Sequence, residues 1–190
     1  MRAKSNRPKD CIYVGKGGLK LQFALEHFSC DVENKIAADL GSHKGGFVDC
    51  LLHHNAQKVY SVDTCYGLLD WKLRNDPRVE VFERKNALYW LSPQKLDIIT
   101  IDVGWTKQQL ILPKALRNLQ DDGIILSLIK PQYECAKNDL DKGVLAEDKI
   151  PDILCDIENS MRDSFSEIQY VYSPYKGSGG NTEAWFYLKK

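Results

Sequence analysis

Short apolar segments alternate with helical ones along most of this chain, and few architectures accommodate that rhythm. Residues 35–40 (KIAADL), 58–63 (KVYSVD), 79–83, 96–103 (LDIITIDV) and 123–129 (GIILSLI) read as five strands. The last is apolar almost throughout, as expected of a strand covered on both faces. Residues 45–55 have helical spacing, with Phe47, Cys50, Leu51 and His54 on one face. Residues 66–73 read as a short helix stopped before Asp76-Pro77, and residues 108–119 as a helix followed by a turn at Asp121-Asp122-Gly123. Residues 16–28 predict an amphipathic helix entered through Gly17-Gly18, and residues 150–164 another helix. Residues 167–173 and 184–189 read as two strands joined by a glycine-rich loop at 176–180. The βαβ order predicts an α/β chain, with a mostly parallel sheet and helices on both faces.

The length of 190 residues suits one domain with one sizeable core. Lys and Arg balance Asp and Glu, so the formal charge is zero, which argues against a surface that is basic all round. Local basic clusters remain: Arg2, Lys4, Arg7 and Lys9 in an N-terminal arm (residues 1–12), and Lys72, Arg74, Arg78, Arg84 and Lys85 further on. Residues 13–190 are read as the domain proper. The six cysteines form no Cys-x-x-Cys pair, and no histidine lies at zinc-finger spacing. His53-His54 reads as a half-buried helical pair, and no metal is expected. Neither a signal peptide nor an apolar run of the ~18 residues a membrane helix needs is visible. The expectation is a reduced, cytoplasmic protein.

The loop after the first strand, Asp39-Leu40-Gly41-Ser42-His43-Lys44-Gly45-Gly46-Phe47, lets backbone approach a ligand closely. Its spacing differs from the Gly-x-Gly-x-x-Gly of dinucleotide binders. Asp63 ends the second strand, where a carboxylate can bond ribose hydroxyls. This pair of features fits S-adenosylmethionine as well as a dinucleotide. A bare glycine turn with a capping aspartate is the alternative. Asp102 and Lys130 also end predicted parallel strands, so all four positions converge on the rim where open α/β sheets bind ligands.

Lys20, Asp102, Lys130 and Glu183 each sit in a short motif: Gly-Gly-Leu-Lys, Ile-Asp-Val, Ile-Lys-Pro-Gln and Gly-Asn-Thr-Glu. Lysine ordinarily titrates near ~10.4, so a lysine base needs burial or a nearby cation to shed its proton. Lys20, if close to Lys130, is that cation, and the two carboxylates can orient the amine. Lys130 could then take a proton from a hydroxyl. A plain Lys130–Glu183 ion pair is the blander alternative. Trp105 and Tyr133, just past Asp102 and Lys130, could stack on a substrate base or simply pack.

These motifs, in this order, resemble those of the FtsJ/RrmJ-type ribose 2′-O-methyltransferases, most closely the TlyA (haemolysin A) branch. Besides the four motifs above, the resemblance is carried by residues 39–49, residues 69–79 (LDWKLRNDPRV), Glu83-Arg84-Lys85-Asn86, Lys130-Pro131-Gln132-Tyr133-Glu134, and Ser173-Pro174 with Lys176-Gly177. It runs from about Tyr13 to the C-terminus. The resemblance implies a Rossmann-like, mostly parallel seven-stranded sheet with a C-terminal antiparallel strand. It implies S-adenosylmethionine as cofactor, held by Asp39, Gly41, Ser42, His43, Lys44, Gly45, Gly46, Phe47, Asp63, Asn86 and Asp102. It implies a catalytic tetrad of Lys20, Asp102, Lys130 and Glu183, ribosomal RNA as substrate, and RNA contacts from Trp105, Tyr133, Arg74 and Arg78. The sequence departs from the branch in carrying His43-Lys44 for Ser-Thr and Gly104-Trp105 for Ser-Phe. It also shows no S4 RNA-binding domain, so a separate targeting partner is expected. Rival readings are a non-catalytic RNA-binding scaffold, a haemolysin, and a methyltransferase with a non-RNA substrate.

Overall fold

The computed structural model describes residues 11–190, so most of the basic arm, with Arg2, Lys4, Arg7 and Lys9, lies outside the described residues. The sheet is built from β1 (Ile36–Leu40), β2 (Lys58–Val62), β3 (Val79–Phe82), β4 (Leu96–Ile101), β5 (Leu119–Ile129), β8 (Glu167–Tyr172) and β9 (Ala184–Lys189). Its order is β3-β2-β1-β4-β5-β9-β8. The neighbouring pairs from β3 to β5 are all parallel, and β9 runs antiparallel to both β5 and β8. β6 (Leu140–Asp141) and β7 (Val144–Leu145) form a separate small hairpin that the sequence did not suggest.

Two apolar layers sandwich the sheet. On one face Leu40, Ile99, Ile101 and Ile125 pack with Ile111 and Leu112 of α4 (Gln108–Leu116) and with Leu154 and Ile157 of α6 (Ile150–Met161). On the other, Ala37, Val59, Ile98 and Leu126 pack with Leu21 and Leu25 of α1 (Gly17–His27) and with Val48 and Leu51 of α2 (Gly46–His53). Successive strand residues point to opposite faces, so a strand buried on both sides must be apolar throughout.

Three boundaries differ from expectation. α4 ends at Leu116 and β5 starts at Leu119, so Asp121-Asp122-Gly123 lies inside the strand rather than forming a turn. Asn118 makes the early start possible. Its carbonyl accepts from Leu96 N (2.9 Å) and its side chain from Ser92 N (2.9 Å), and the β4–β5 register shifts between Leu96 and Ile98. α3 is confined to Trp71–Arg74, because the Asp70 side chain caps it by accepting from Lys72 N. A short helix, α5 (Pro131–Glu134), follows Lys130, with proline in its first turn.

Candidate active site

The strand order reverses between β1 and β4, which opens a crevice at their C-terminal ends. Leu40 pairs with Ile101, so Gly41 and Asp102 face one another just beyond the sheet. Gly41 has φ +94°, and a Cβ there would meet the Asp102 carbonyl oxygen at 2.5 Å. Only glycine fits this crossing. Val14, Gly15, Lys16 and Gly17 line one half of the crevice with Asp39, Ser42, Lys44, Gly46 and Phe47. Asp63, Cys65, Asn86, Leu88, Trp105 and Lys130 line the other half. Gly41, His43 and Asp102 border both halves, making one trough.

Its floor is acidic. Asp39 is fully buried, and burial pushes its carboxyl up to about 8 against the opposing bond from Thr100 Oγ1 (2.9 Å), with the Asp102 and Asp63 charges adding to the rise. The Asp63 carboxylate accepts from His43 N and from Cys65 N, each at 2.7 Å, which fixes it at the end of β2. An ionised carboxylate accepting two bonds still has lone pairs for a ligand hydroxyl. The Asn86 side chain accepts from Leu88 N (2.9 Å) and shapes the turn that closes this wall.

The four charged residues of the sequence motifs meet above the trough. Asp102 follows β4 and Lys130 follows β5. Ile129 pairs with Ala184, so Lys130 and Glu183 are the next residues of the β5–β9 ladder. The antiparallel course of β9 brings Glu183 to the same rim from its N-terminal end. Lys20 enters from α1. The side chains form two ion pairs: Lys20 Nζ to Glu183 Oε2 at 2.5 Å, and Lys130 to Asp102. Each lysine thus faces a carboxylate, in two separate pairs, and the alternative Lys130–Glu183 pairing does not form. Glu183 is 2 % exposed, and burial pushes its carboxyl above the usual range while Lys20 opposes the shift. Lys130 and Asp102 also act on Glu183 electrostatically, so the pairs are adjacent.

Some sequence candidates take other places. Arg78 precedes β3 at the opposite end of the sheet, where it binds Asp76 and the Leu52 carbonyl. Arg74 is held by Glu83. Neither lines the trough. A side chain at Gly45 would strike Leu69 and Leu73, so this glycine answers to packing. Trp105 and Tyr133 stack on each other with centroids 4.6 Å apart, and Trp105 is 83 % exposed at the trough mouth.

Asp49 was not singled out by its sequence. Buried on α2, it accepts from Val14 N (2.7 Å) and pairs with Lys72 (3.0 Å) and His53 (3.3 Å). It ties down the segment that carries Gly15, Lys16 and Gly17 along the trough. One carboxylate in a helix carries no signal that a distant backbone amide will need it.

The sequence pattern of the family described as FtsJ-like methyltransferase matches residues 13–190. YqxC of Bacillus subtilis, named as an rRNA methyltransferase, is 38% identical over 187 residues, which cover 93% of this chain and 65% of that protein. The 16S/23S rRNA (cytidine-2′-O)-methyltransferase TlyA of Mycobacterium tuberculosis is 32% identical over 93% of this chain and 68% of its own length. The chain thus spans about two thirds of these relatives. A Streptococcus thermophilus structure named as a hemolysin superposes with a TM-score of 0.89 at 34% identity, covering 97% of this chain and 69% of that one. On the match over residues 13–190 and on the relatives' identity, the chain belongs to the FtsJ-like methyltransferase family.

Proposed function

We propose that the protein transfers a methyl group from S-adenosylmethionine to a ribose 2′-hydroxyl of RNA, with ribosomal RNA as the substrate and the cytoplasm as its place of action. The observation that carries this reading is the meeting of Lys20, Asp102, Lys130 and Glu183 as two ion pairs over one trough.

The trough suits an adenosyl cofactor. Asp63 and Asp102 supply negative charge for a cation, Asp39 lies buried beneath them, and the Gly41 crossing leaves the backbone bare. Asp63 would accept from ribose hydroxyls, and the Asn86 turn would flank the base. Bound there, S-adenosylmethionine would supply a methyl group on a positively charged sulfur. Lys130, half-shielded at the rim, takes the proton of the attacking hydroxyl. Asp102 holds the Lys130 amine toward the trough. Glu183 and Lys20 fix the opposite wall and balance the charge. The TlyA and YqxC names favour ribosomal RNA, and the exposed Trp105–Tyr133 stack offers a flat surface to a base.

Transfer of tritiated methyl into total RNA, ribosomal particles and protein tests the substrate class. Lys130→Ala should lose about 10²- to 10⁴-fold in methyl transfer, the worth of a general base, while cofactor binding by calorimetry persists. Full transfer by this variant at saturating RNA would overturn the mechanism. Methyl appearing only in protein would overturn the substrate.

A further inference from the structure

We infer that a second cleft, between the 88–91 turn and α4, is a binding track for the single-stranded RNA that flanks the methylated nucleotide. This inference rests on the reading of the protein as an RNA methyltransferase.

The cleft is lined by Leu88, Tyr89, Trp90, Leu91, Lys114 and Arg117. Leu88 also lines the trough, so the two depressions meet at one side chain. Tyr89 is 81 % exposed and Leu91 69 % exposed, although Trp90 between them is buried. The turn thus presents an aromatic ring and an aliphatic side chain to solvent from a rigid base.

Beside it runs a stripe of positive charge. Positions 107, 110, 114 and 117 fall on one face of α4, and three of them are Lys107, Lys114 and Arg117. Lys95 joins the stripe by donating to the Arg117 carbonyl at 2.8 Å. None of these four cations enters an ion pair among the described residues. Glu134, which feels the Lys107 charge without forming an ion pair, accepts from Gln108 N at the start of α4. From Lys107 to Arg117 the stripe is about 15 Å long at ~1.5 Å per residue. That is the length of four to five stacked nucleotides at ~3.4 Å each. Its upper end, Lys107, lies two residues from Trp105 at the trough mouth.

A row of unpaired cations beside an exposed aromatic ring is the combination that holds single strands, with phosphates on the cations and a base on the ring. The chain as a whole is neutral. The attraction on this face therefore comes from the stripe, and RNA laid along it leads to the mouth of the trough.

The test uses the full chain and a fluorescein-labelled, fully 2′-O-methylated oligouridine of twenty nucleotides, which binds without accepting methyl. Lys114→Gln with Arg117→Gln should weaken binding at least tenfold at low salt. It should also flatten the dependence of log affinity on log salt by about 1.4, at ~0.7 for each single-strand phosphate that is no longer neutralised. Tyr89→Ser should weaken binding about tenfold with the salt slope unchanged. Melting temperature and S-adenosylmethionine binding should match wild type in both variants, and the KM for RNA should rise with kcat intact. Wild-type affinity and slope in both variants overturn the inference. So does unchanged oligonucleotide binding combined with abolished methylation of ribosomal particles, the pattern of a protein partner at this face. A wild-type protein that binds the oligonucleotide through the stripe yet methylates no RNA supports the track and removes the methyltransferase reading. RNA methylation by wild type and stripe variants with the same KM for RNA does the reverse.

Discussion

Replacing Gly177 by alanine should disable methyl transfer by one methyl group. Gly177 has φ −78°, which any residue adopts, so the substitution is free of backbone strain. The added Cβ would stand 2.8 Å from Glu183 Cδ and closer still to Oε1. Ordinary carbon contacts begin near ~3.5 Å, so the carboxylate must retreat by roughly 1 Å. It has nowhere to go, because Glu183 is 2 % exposed and its other oxygen is held by Lys20 at 2.5 Å. The loop cannot yield cheaply either. Gly177 N donates to the Asn181 carbonyl at 2.8 Å, while the buried Asn181 side chain accepts from Leu145 N and donates to the Gly143 carbonyl, both at 3.0 Å. Overpacking of this kind costs about 1–3 kcal/mol of stability. An error of about 1 Å in a catalytic group costs on the order of 10² in rate. Methyl transfer into ribosomal particles should show kcat reduced about a hundredfold with the KM for S-adenosylmethionine near wild type. Denaturant unfolding should give the smaller stability loss. A Gly177→Ala protein with wild-type kcat would show that the Glu183 position does not matter to the reaction.

Three further outcomes follow from the same side chains and their neighbours. Asp39 titrates at about 8 in the folded chain, against ~3.9 unfolded. The folded state holds this proton longer, so its contribution is complete below the unfolded value and is lost as pH rises through 8. Asp39→Asn should flatten urea-unfolding stability between about pH 4 and 8, removing a decline on the order of 5 kcal/mol. Asp49→Ala leaves the Val14 N–H without its acceptor, which should cost about 1–3 kcal/mol in unfolding experiments. It should also weaken cofactor binding measured by calorimetry. Lys20→Met strands a buried carboxylate at a cost of about 3–5 kcal/mol. Lys20→Met with Glu183→Leu should recover most of that stability while staying inactive.

The sheet was legible because its strands are apolar without alternation, and the strand ends fixed Gly41, Asp63, Asp102 and Lys130 on one rim. The α4–β5 boundary was not, since what starts β5 early is the bonding of Asn118 to Ser92 and Leu96, residues of another segment. The β6–β7 hairpin is two residues a side, below any periodic signal. Asn181 fastens it to the loop before Glu183, a link between residues 36 to 38 apart in the chain. The identities of the four charged site residues were also legible, whereas their pairing was not. Either carboxylate can meet either lysine on paper. The β5–β9 register and the entry of α1 decide it.

That pairing divides the work within the site. Lys20 and Glu183 are 16 % and 2 % exposed and joined by a hydrogen bond, so parting them exposes nothing to water and strands a charge. Lys130 and Asp102 are 18 % and 28 % exposed and open onto the trough. Their contact is an ion pair without hydrogen-bond alignment, since Asp102 Oδ1 has no hydrogen-bond partner. The first pair therefore acts as framework, and the second is the one within reach of a molecule in the trough. The four side chains sum to zero with both lysines charged. Asp102, bordering both halves of the trough, links this second pair to the space in which the proposed cofactor would lie.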